Sequence, residues 1–161
     1  MPTNPSEQTI STLEVVKDEQ IAASIDIVFE TLLEQMGPYN EKPDGSPMVM
    51  HLEAWPGGRW FRDLGDNAGH FWGHVQAIKA PTLLEICGPL FMSFPAMSNV
   101  QYRLSEVEGG LTRVQFAHRA IGQIPDNFRE GPYSVNTGWS YTLTKLRENA
   151  ERKSDSLRGS R

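Results

Sequence analysis

The sequence has little of what marks several specialised classes of protein. It contains a single cysteine, Cys87, so it can form neither an intramolecular disulfide nor a cysteine-rich zinc site. Positive charge is scarce as well, because 15 lysines and arginines stand against 20 acidic residues, for a formal net charge of -5. Nucleic-acid-binding proteins carry dense basic patches, so this balance argues against a nucleic-acid partner.

Long apolar runs are also missing. No stretch approaches the roughly 20 consecutive apolar residues that a membrane helix needs, and the N-terminus lacks a basic region followed by an apolar run. We therefore expect no membrane span, no signal peptide and a cytoplasmic location. The hydrophobic content of 39% and the charged content of 22% are typical of a soluble globular chain, and 161 residues suit one domain.

The longest regular pattern runs from Ser134 to about Glu151. Its apolar residues recur every three or four positions and therefore form one stripe along an α-helix. The stripe consists of Val135, Trp139, Leu143, Leu146 and Ala150. Ser134 follows a Gly-Pro pair that disfavours helix, and we expect it to cap the N-terminus of this helix.

Composition divides the chain into a domain and two tails. Residues 1–12 are mostly polar and contain two prolines, so we expect a flexible N-terminal tail. Residues 13–151 are predicted to form a single folded domain. Residues 152–161 are rich in charge, and we expect a C-terminal tail that frays from the end of the helix.

Short strands make up most of the predicted domain. Leu13 to Ile21 is a first strand, and Ser24 caps a first helix that ends at Met36. Six further strand segments follow, at Val49–Trp55, Arg59–Leu64, His70–Lys79, Thr82–Gly88, Asn99–Glu106 and Leu111–Ala120. Strands at this spacing, with helices only near the two ends, predict an α+β fold in which an antiparallel sheet curls against the terminal helix.

Four short motifs occur in the order found in one known superfamily. The motifs are Ile21-Ala22-Ala23-Ser24 before Val28-Phe29, the turn Glu53-Ala54-Trp55-Pro56-Gly57-Gly58-Arg59-Trp60, Trp72-Gly73-His74-Val75 before Pro81-Thr82-Leu83-Leu84, and Gly138-Trp139. Together they span most of the chain and resemble the START-like (SRPBCC, helix-grip) superfamily. The branch they resemble is that of the activator of the heat-shock-protein-90 ATPase and its bacterial relatives. Two segments depart from that branch: Gly37 to Pro47 lacks its tryptophan, and the loop from Pro89 to Pro95 is unusually apolar.

The resemblance implies a helix-grip fold with an apolar cavity. In this fold a curved antiparallel sheet wraps against a long C-terminal helix, and a small helical segment follows the first strand. Its members include ligand carriers, polyketide cyclases and proteins without an assigned activity, so the fold alone does not select a function. The residues expected to line the pocket are Trp55, Trp60, Trp72, His74, Tyr102, Phe116, His118, Trp139 and Leu143.

His118 is the main polar candidate in this pocket. It lies in phase with Val114 and Phe116 on their strand, so its side chain should point towards the core or the cavity. Three roles remain open: a hydrogen-bonded core histidine, a polar anchor for a ligand, or a general base. A general base would need a partner from another strand to orient it and tune its pKa.

We expect neither a metal site nor a cofactor. His70 and His74 share a strand face with Trp72, but their separation along the strand is roughly 13 Å, too far for both to bind one ion. The sequence also lacks a nucleophile-elbow serine motif and a phosphate-binding lysine loop. No residue is therefore assigned as catalytic.

Three functions remain as hypotheses. The favoured one is a protein that binds a small hydrophobic or amphipathic molecule in the cavity. The alternative is an enzyme of the polyketide cyclase or dehydratase type, with His118 or Tyr102 as acid or base. The weakest is partner binding like that of the chaperone-ATPase activator, because we expect no separate chaperone-contacting domain. The apolar loop that contains Phe91, Met92 and Phe94 is expected to act as a lid over the cavity or as a homodimer contact.

Overall fold

A computed structural model describes residues 9–159, which form seven strands, two helices and a 3₁₀ turn. The strands are β1 (Ser11–Ile21), β2 (His51–Leu52), β3 (Arg59–Gly65), β4 (Ala68–Lys79), β5 (Leu83–Gly88), β6 (Ala96–Val107) and β7 (Leu111–Gly122). The helices are α1 (Ile25–Met36) and α2 (Val135–Gly159), and the 3₁₀ turn spans Asp126–Phe128.

The strands join one antiparallel sheet in the order β1-β7-β6-β5-β4-β3-β2. The pairing of β6 with β7 runs without a register shift from Ala96 opposite Gly122 to Val107 opposite Leu111. The sheet is curved, α1 follows β1 directly, and α2 is the long C-terminal helix. This arrangement confirms the predicted α+β helix-grip fold.

Helix α1 begins at the predicted cap. The Ser24 hydroxyl oxygen accepts a hydrogen bond from the Ile27 amide at 3.4 Å, which satisfies one of the free N–H groups of the first turn. The helix ends at Met36, and the Gly37 amide donates to the Glu34 carbonyl. The residues buried on its core side include Val28, Phe29, Leu32 and Met36.

Helix α2 also begins where the sequence indicates but ends later. The Ser134 hydroxyl oxygen accepts from the Thr137 amide at 3.2 Å, as expected of a cap. The helix continues to Gly159, beyond the boundary at residue 151. The buried stripe gains Ser154, and Lys153 Nζ lies 2.7 Å from Glu34 Oε2 of α1. Residues 152–159 therefore belong to the helix, and Lys153 ties this part of it to α1.

The remaining differences lie at strand ends. The strand expected over Val49–Trp55 is reduced to the two residues of β2 because the chain then turns: the Trp55 amide donates to the Glu53 carbonyl, and the Gly58 amide donates to the Trp55 carbonyl. At the N-terminus, β1 begins at Ser11, inside the predicted tail. The rest of that tail, up to residue 8, lies outside the described residues.

The core fills the space between the sheet and the two helices. Its centre is aromatic: the rings of Tyr102 and Phe116 lie 5.0 Å apart, and those of Phe116 and Trp139 lie 4.7 Å apart. All three side chains are buried, as are Leu143 and Leu146 on the stripe of α2. The sequence-predicted stripe is therefore the face by which α2 packs on the sheet.

Candidate functional site

A cavity of about 230 Å³ lies between α2, strands β3 and β4, and the segment that follows α1. Its lining residues are Met36, Asn40, Glu41, Lys42, Pro43, Met48, Trp60, Trp72, Phe91, Val135, Gly138, Trp139, Tyr141 and Thr142. The charged members, Glu41 and Lys42, are exposed and lie at the mouth, whereas Trp60, Trp139 and Val135 are buried. The cavity therefore has an apolar interior and a polar entrance.

Four aromatic side chains form the interior wall. Trp60 and Trp72 meet edge to face with ring centroids 4.9 Å apart, and Trp72 meets Phe91 in the same way at 5.5 Å. Phe91 in turn lies 6.4 Å from Trp139. These contacts join residues from β3, β4, α2 and the loop before β6 into one continuous wall. Such contacts favour a fixed ring arrangement.

The indole N–H groups of two of these tryptophans are already used by the protein. Trp60 Nε1 donates to the Met36 carbonyl at 2.7 Å, and Trp139 Nε1 donates to His118 Nδ1 at 2.9 Å. A tryptophan has no other hydrogen-bonding group. Trp60 and Trp139 can therefore offer a ligand only the carbon surface and the π-face of their rings.

His118 is a neutral core residue in this structure. Because an indole N–H can only donate, His118 Nδ1 must accept from Trp139, and the proton lies on Nε2, which is 2.9 Å from the Ser98 hydroxyl. Burial lowers the pKa of His118 to about 4, since desolvation penalises the imidazolium. Both nitrogens are engaged, and His118 is not among the residues that line the cavity. Of the three roles that the sequence left open for His118, this geometry supports that of a hydrogen-bonded core histidine.

Three more of the expected pocket residues lie behind the wall. Tyr102, Phe116 and Leu143 are buried but do not reach the cavity surface. The Tyr102 hydroxyl lies 3.9 Å from Met36 Sδ, a weak acceptor. Burial raises the pKa of Tyr102 far above its ordinary value. These residues support the wall and do not face a ligand.

Trp55 and His74 lie outside the cavity, which corrects their assignment to the pocket. Trp55 is 57% exposed in the turn before β3. His74 is exposed on the outer face of β4, where Nδ1 lies 3.1 Å from the Gly57 carbonyl oxygen. The expectation that His74 and Trp72 share a face fails because a register shift interrupts the pairing of β3 with β4.

This register shift places Trp72 in the cavity. Trp60 pairs with Gly73 and Phe61 pairs with Phe71, so Trp72 is an extra residue on β4, a β-bulge. A Cβ atom on Gly73 would lie 2.7 Å from the Cys87 carbonyl oxygen of β5. Glycine is therefore required beside the bulge, which gives the Trp72-Gly73 motif a structural reason.

Of the expected pocket residues, the structure brings together Trp60, Trp72 and Trp139 at the cavity surface. Most of the other residues that line the cavity were not predicted from the sequence. Gly138, Tyr141 and Thr142 flank the apolar stripe of α2 and could have been found from the helical period. The residues from Asn40 to Met48 carried no such signal, because a loop has no period that assigns its side chains to a face.

The mouth of the cavity is closed on one side by a contact between that loop and α2. The Tyr141 hydroxyl donates to Glu41 Oε2 at 2.9 Å. The loop itself is held by backbone pairing of Glu41 with Pro47 and by Asn40 Nδ2, which donates to the Met48 carbonyl at 3.0 Å. Burial, and then the hydrogen bond to Glu41, raise the pKa of Tyr141. The entrance is therefore structured and rich in oxygen atoms.

Neither a metal site nor a membrane-spanning helix is found in the part of the chain that the structure describes. Across residues 9–159, no three histidine, cysteine or acidic side chains lie close enough together to hold a metal ion. Over the same residues, neither helix combines the length and apolar character that crossing a membrane requires.

The fold and the cavity define the class as a helix-grip protein with a small apolar cavity between the sheet and the terminal helix. Residues 22–151 match the family model described as Activator of Hsp90 ATPase homolog 1-like protein. The chain belongs to this family, which confirms the resemblance seen in the sequence motifs.

Solved structures with a similar fold come from several bacteria. An uncharacterised protein of Rhizobium leguminosarum gives a TM-score of 0.66 at 17% identity, covering 89% of this chain and 97% of its own. A protein of Chromobacterium violaceum gives 0.63 at 14% identity, covering 86% and 97%. CalU16 of Micromonospora echinospora gives 0.55 at 18% identity, covering 93% and 98%. At these identities the likeness shows the fold alone. No protein of curated function matches the sequence.

Proposed function

We propose that the protein binds a small hydrophobic or amphipathic molecule in the cavity between the sheet and α2, without transforming it chemically. The observation that carries this proposal is the composition of the inner wall. Trp60, Trp72, Phe91 and Trp139 line it, and the indole N–H groups of Trp60 and Trp139 are bound to protein acceptors. An apolar wall with polar groups only near the mouth is the usual construction of a ligand pocket.

The volume of the cavity limits the size of the ligand. Pockets for drug-sized molecules usually measure roughly 300–1,000 Å³, whereas this one measures about 230 Å³. One aromatic ring with a short side chain fits such a space, and any larger ligand would extend through the mouth past Glu41 and Lys42.

The cyclase or dehydratase alternative has less support. It requires an acid or base in contact with the ligand, but His118 has both nitrogens engaged and Tyr102 is sealed behind the wall. The ionisable side chains that line the cavity are Glu41, Lys42 and Tyr141, all near the mouth. Chaperone-partner binding stays a prediction, which co-purification with the chaperone would check.

A titration with phenethyl alcohol, followed by tryptophan emission, tests the proposal. Replacing Trp55 with Phe first removes the exposed indole. The remaining indoles, Trp60, Trp72 and Trp139, all line the cavity. We expect saturable quenching or a spectral shift in the Trp55→Phe protein.

A cavity-filling variant shows whether that signal comes from the proposed site. Gly138 lines the cavity, and apart from its own helix backbone a Cβ atom built there meets no described heavy atom within 4 Å. In Gly138→Leu we expect affinity to fall by about tenfold or more and stability to hold or rise, because glycine is unfavourable inside a helix. Thr144→Leu is the matched control, since Thr144 is exposed on the same helix. Unchanged affinity in a stably folded Gly138→Leu protein would contradict the proposal.

A further inference from the structure

We propose that the ligand carries a protonated amine as its polar end, held beside Glu41 and Gln35 at the inner side of the cavity mouth. The inference rests on the proposed function and specifies which class of amphipathic molecule the cavity accepts. It is carried by a small polar niche next to the aromatic cavity, by a residue of that niche whose buried acceptor atom has no partner, and by the charges around it.

The niche is a void of about 10 Å³ between α1, α2 and the loop after α1. Its residues are Gln35, Tyr39, Asn40, Glu41, Tyr141, Thr142, Lys145 and Asn149. Four of them, Asn40, Glu41, Tyr141 and Thr142, also line the aromatic cavity, so the two spaces adjoin. A void of this size holds one group the size of a water molecule. It is therefore suited to the polar end of a ligand whose body lies in the cavity.

Gln35 provides the unpaired acceptor. Its side chain is only 6% exposed, and its Nε2 donates to the Thr142 carbonyl oxygen at 2.6 Å. Because a carbonyl oxygen can only accept, this contact fixes which end of the amide is nitrogen. The other end, Oε1, is buried and has no hydrogen-bond partner among the described residues. Buried acceptors are nearly always paired with protein or ordered water, so we expect a water molecule, or a ligand donor that replaces it, at this atom.

The second group of the niche is a carboxylate. Glu41 accepts the hydrogen bond of Tyr141 through one oxygen and has further acceptor capacity. After burial and that hydrogen bond, the charges of Glu41, Asp44 and Glu148 raise the pKa of Tyr141 further. The three carboxylates therefore all contribute negative potential at the Tyr141 hydroxyl, at the entrance of the cavity.

The nearby lysines only partly offset this charge. Lys145 also lines the niche, but its Nζ lies 3.5 Å from Glu148 Oε2, so the charges of these two residues offset each other. Lys42 is exposed at the outer edge of the mouth, beside Asp44, whose pKa it helps to lower after the hydrogen bonds from Ser46. Glu41 forms no ion pair among the described residues, so a positively charged donor gains from Glu41 and Gln35, whereas a carboxylate would face both acceptors with Lys145 already paired.

The aromatic wall agrees with the same ligand class. Trp60 and Trp139 offer π-faces rather than N–H donors, so the wall suits the apolar body of a ligand whose polar end lies in the niche. A ligand carboxylate would need donors that these two side chains cannot supply. A neutral hydroxyl would satisfy Gln35 without gaining from the charge of Glu41.

Three probes with the same aromatic body separate these possibilities: phenethylamine, phenethyl alcohol and phenylacetate, each titrated calorimetrically into the full chain at neutral pH. We expect phenethylamine to bind about tenfold or more tightly than phenylacetate, with the alcohol between them. In Glu41→Gln we expect the affinity for phenethylamine to fall by about tenfold and that for the alcohol to stay within about twofold. The Gln side chain still accepts from Tyr141 and preserves the loop contact.

Glu30→Gln is the matched control, because Glu30 is an exposed acid on α1 that lines neither space. Equal or tighter binding of phenylacetate would overturn the inference, as would an equal loss of phenethylamine affinity in Glu30→Gln. If either of these results were obtained but Gly138→Leu still abolished binding of the probe, the proposed function would stand and only the inference about the amine would fail. Failure of all three probes to bind would overturn the proposed function and this inference together.

Discussion

The hydrogen bond between Trp139 and His118 joins the terminal helix to the sheet through two polar atoms in an apolar core. Each partner satisfies the other, and Ser98 satisfies the second ring nitrogen. A buried polar group that loses its partner costs stability, so this chain of contacts fixes how α2 sits on β7 and β6. His118 therefore acts as a structural residue whose protonation state matters.

Acid should weaken the folded state through His118. Its pKa is about 4 in the folded protein and about 6.5 in an unfolded chain, so the unfolded chain binds more protons between these values. The contribution of His118 is complete above pH 6.5 and is lost as the pH falls towards 4, in total on the order of 3 kcal/mol. Urea unfolding between pH 7 and pH 5 should show the start of this loss.

Two variants separate His118 from the other titrating groups. His118→Gln should be destabilised at neutral pH and should lose the pH slope between about 5 and 6.5. His70→Gln, which replaces an exposed histidine, should keep it. Glu53 titrates outside this window, because its hydrogen bond and charge contact with Arg59 lower its pKa to about 2. A slope that survives in His118→Gln would show that another group causes it.

The last part of helix α2 packs against other parts of the fold. The Glu151 carboxylate accepts from the Ala22 amide at 3.1 Å, Lys153 pairs with Glu34, and Ser154 is buried. These contacts tie the helix to α1 and to the segment that precedes it. The residues after Ala150 therefore help the apolar stripe to hold α2 against the rest of the domain.

Removing residues 152–161 should therefore destabilise the protein by about 1–2 kcal/mol, through the loss of a half-exposed ion pair, the burial of Ser154 and two helical turns. Chemical unfolding measures this loss. Removal of residues 158–161 alone is the control and should cost much less, because Lys153 and Ser154 remain. Equal stability of the shorter protein and the full chain would mean that the domain ends near residue 151, as its composition indicates.

For the whole molecule, periodicity predicted the architecture better than the site. The apolar stripe of α2 and the alternation in β6 and β7 reveal the sheet and its covering helix, because burial of one face imposes a period on the sequence. The motif around Trp72-Gly73 pointed to the correct family. A homodimer through the apolar loop stays a prediction, which native mass spectrometry would check.

The site was harder to predict for reasons that concern particular residues. A bulge turned Trp72 inwards and left His74 outside, and a strict alternation cannot show a bulge. His118 follows the core period, but only the structure shows that Trp139 and Ser98 occupy its two nitrogens. Glu41 and Gln35 become neighbours only after α1 and its loop dock against α2.

The most direct test of ligand binding in the cavity is a crystal structure of the protein with para-bromo phenethyl alcohol, located by the anomalous signal of bromine. We expect one strong bromine peak enclosed by Trp60, Trp72 and Trp139, and no such peak in Gly138→Leu crystals. A probe that binds in solution but whose bromine lies outside the cavity, for example beside the exposed Trp55, would contradict it.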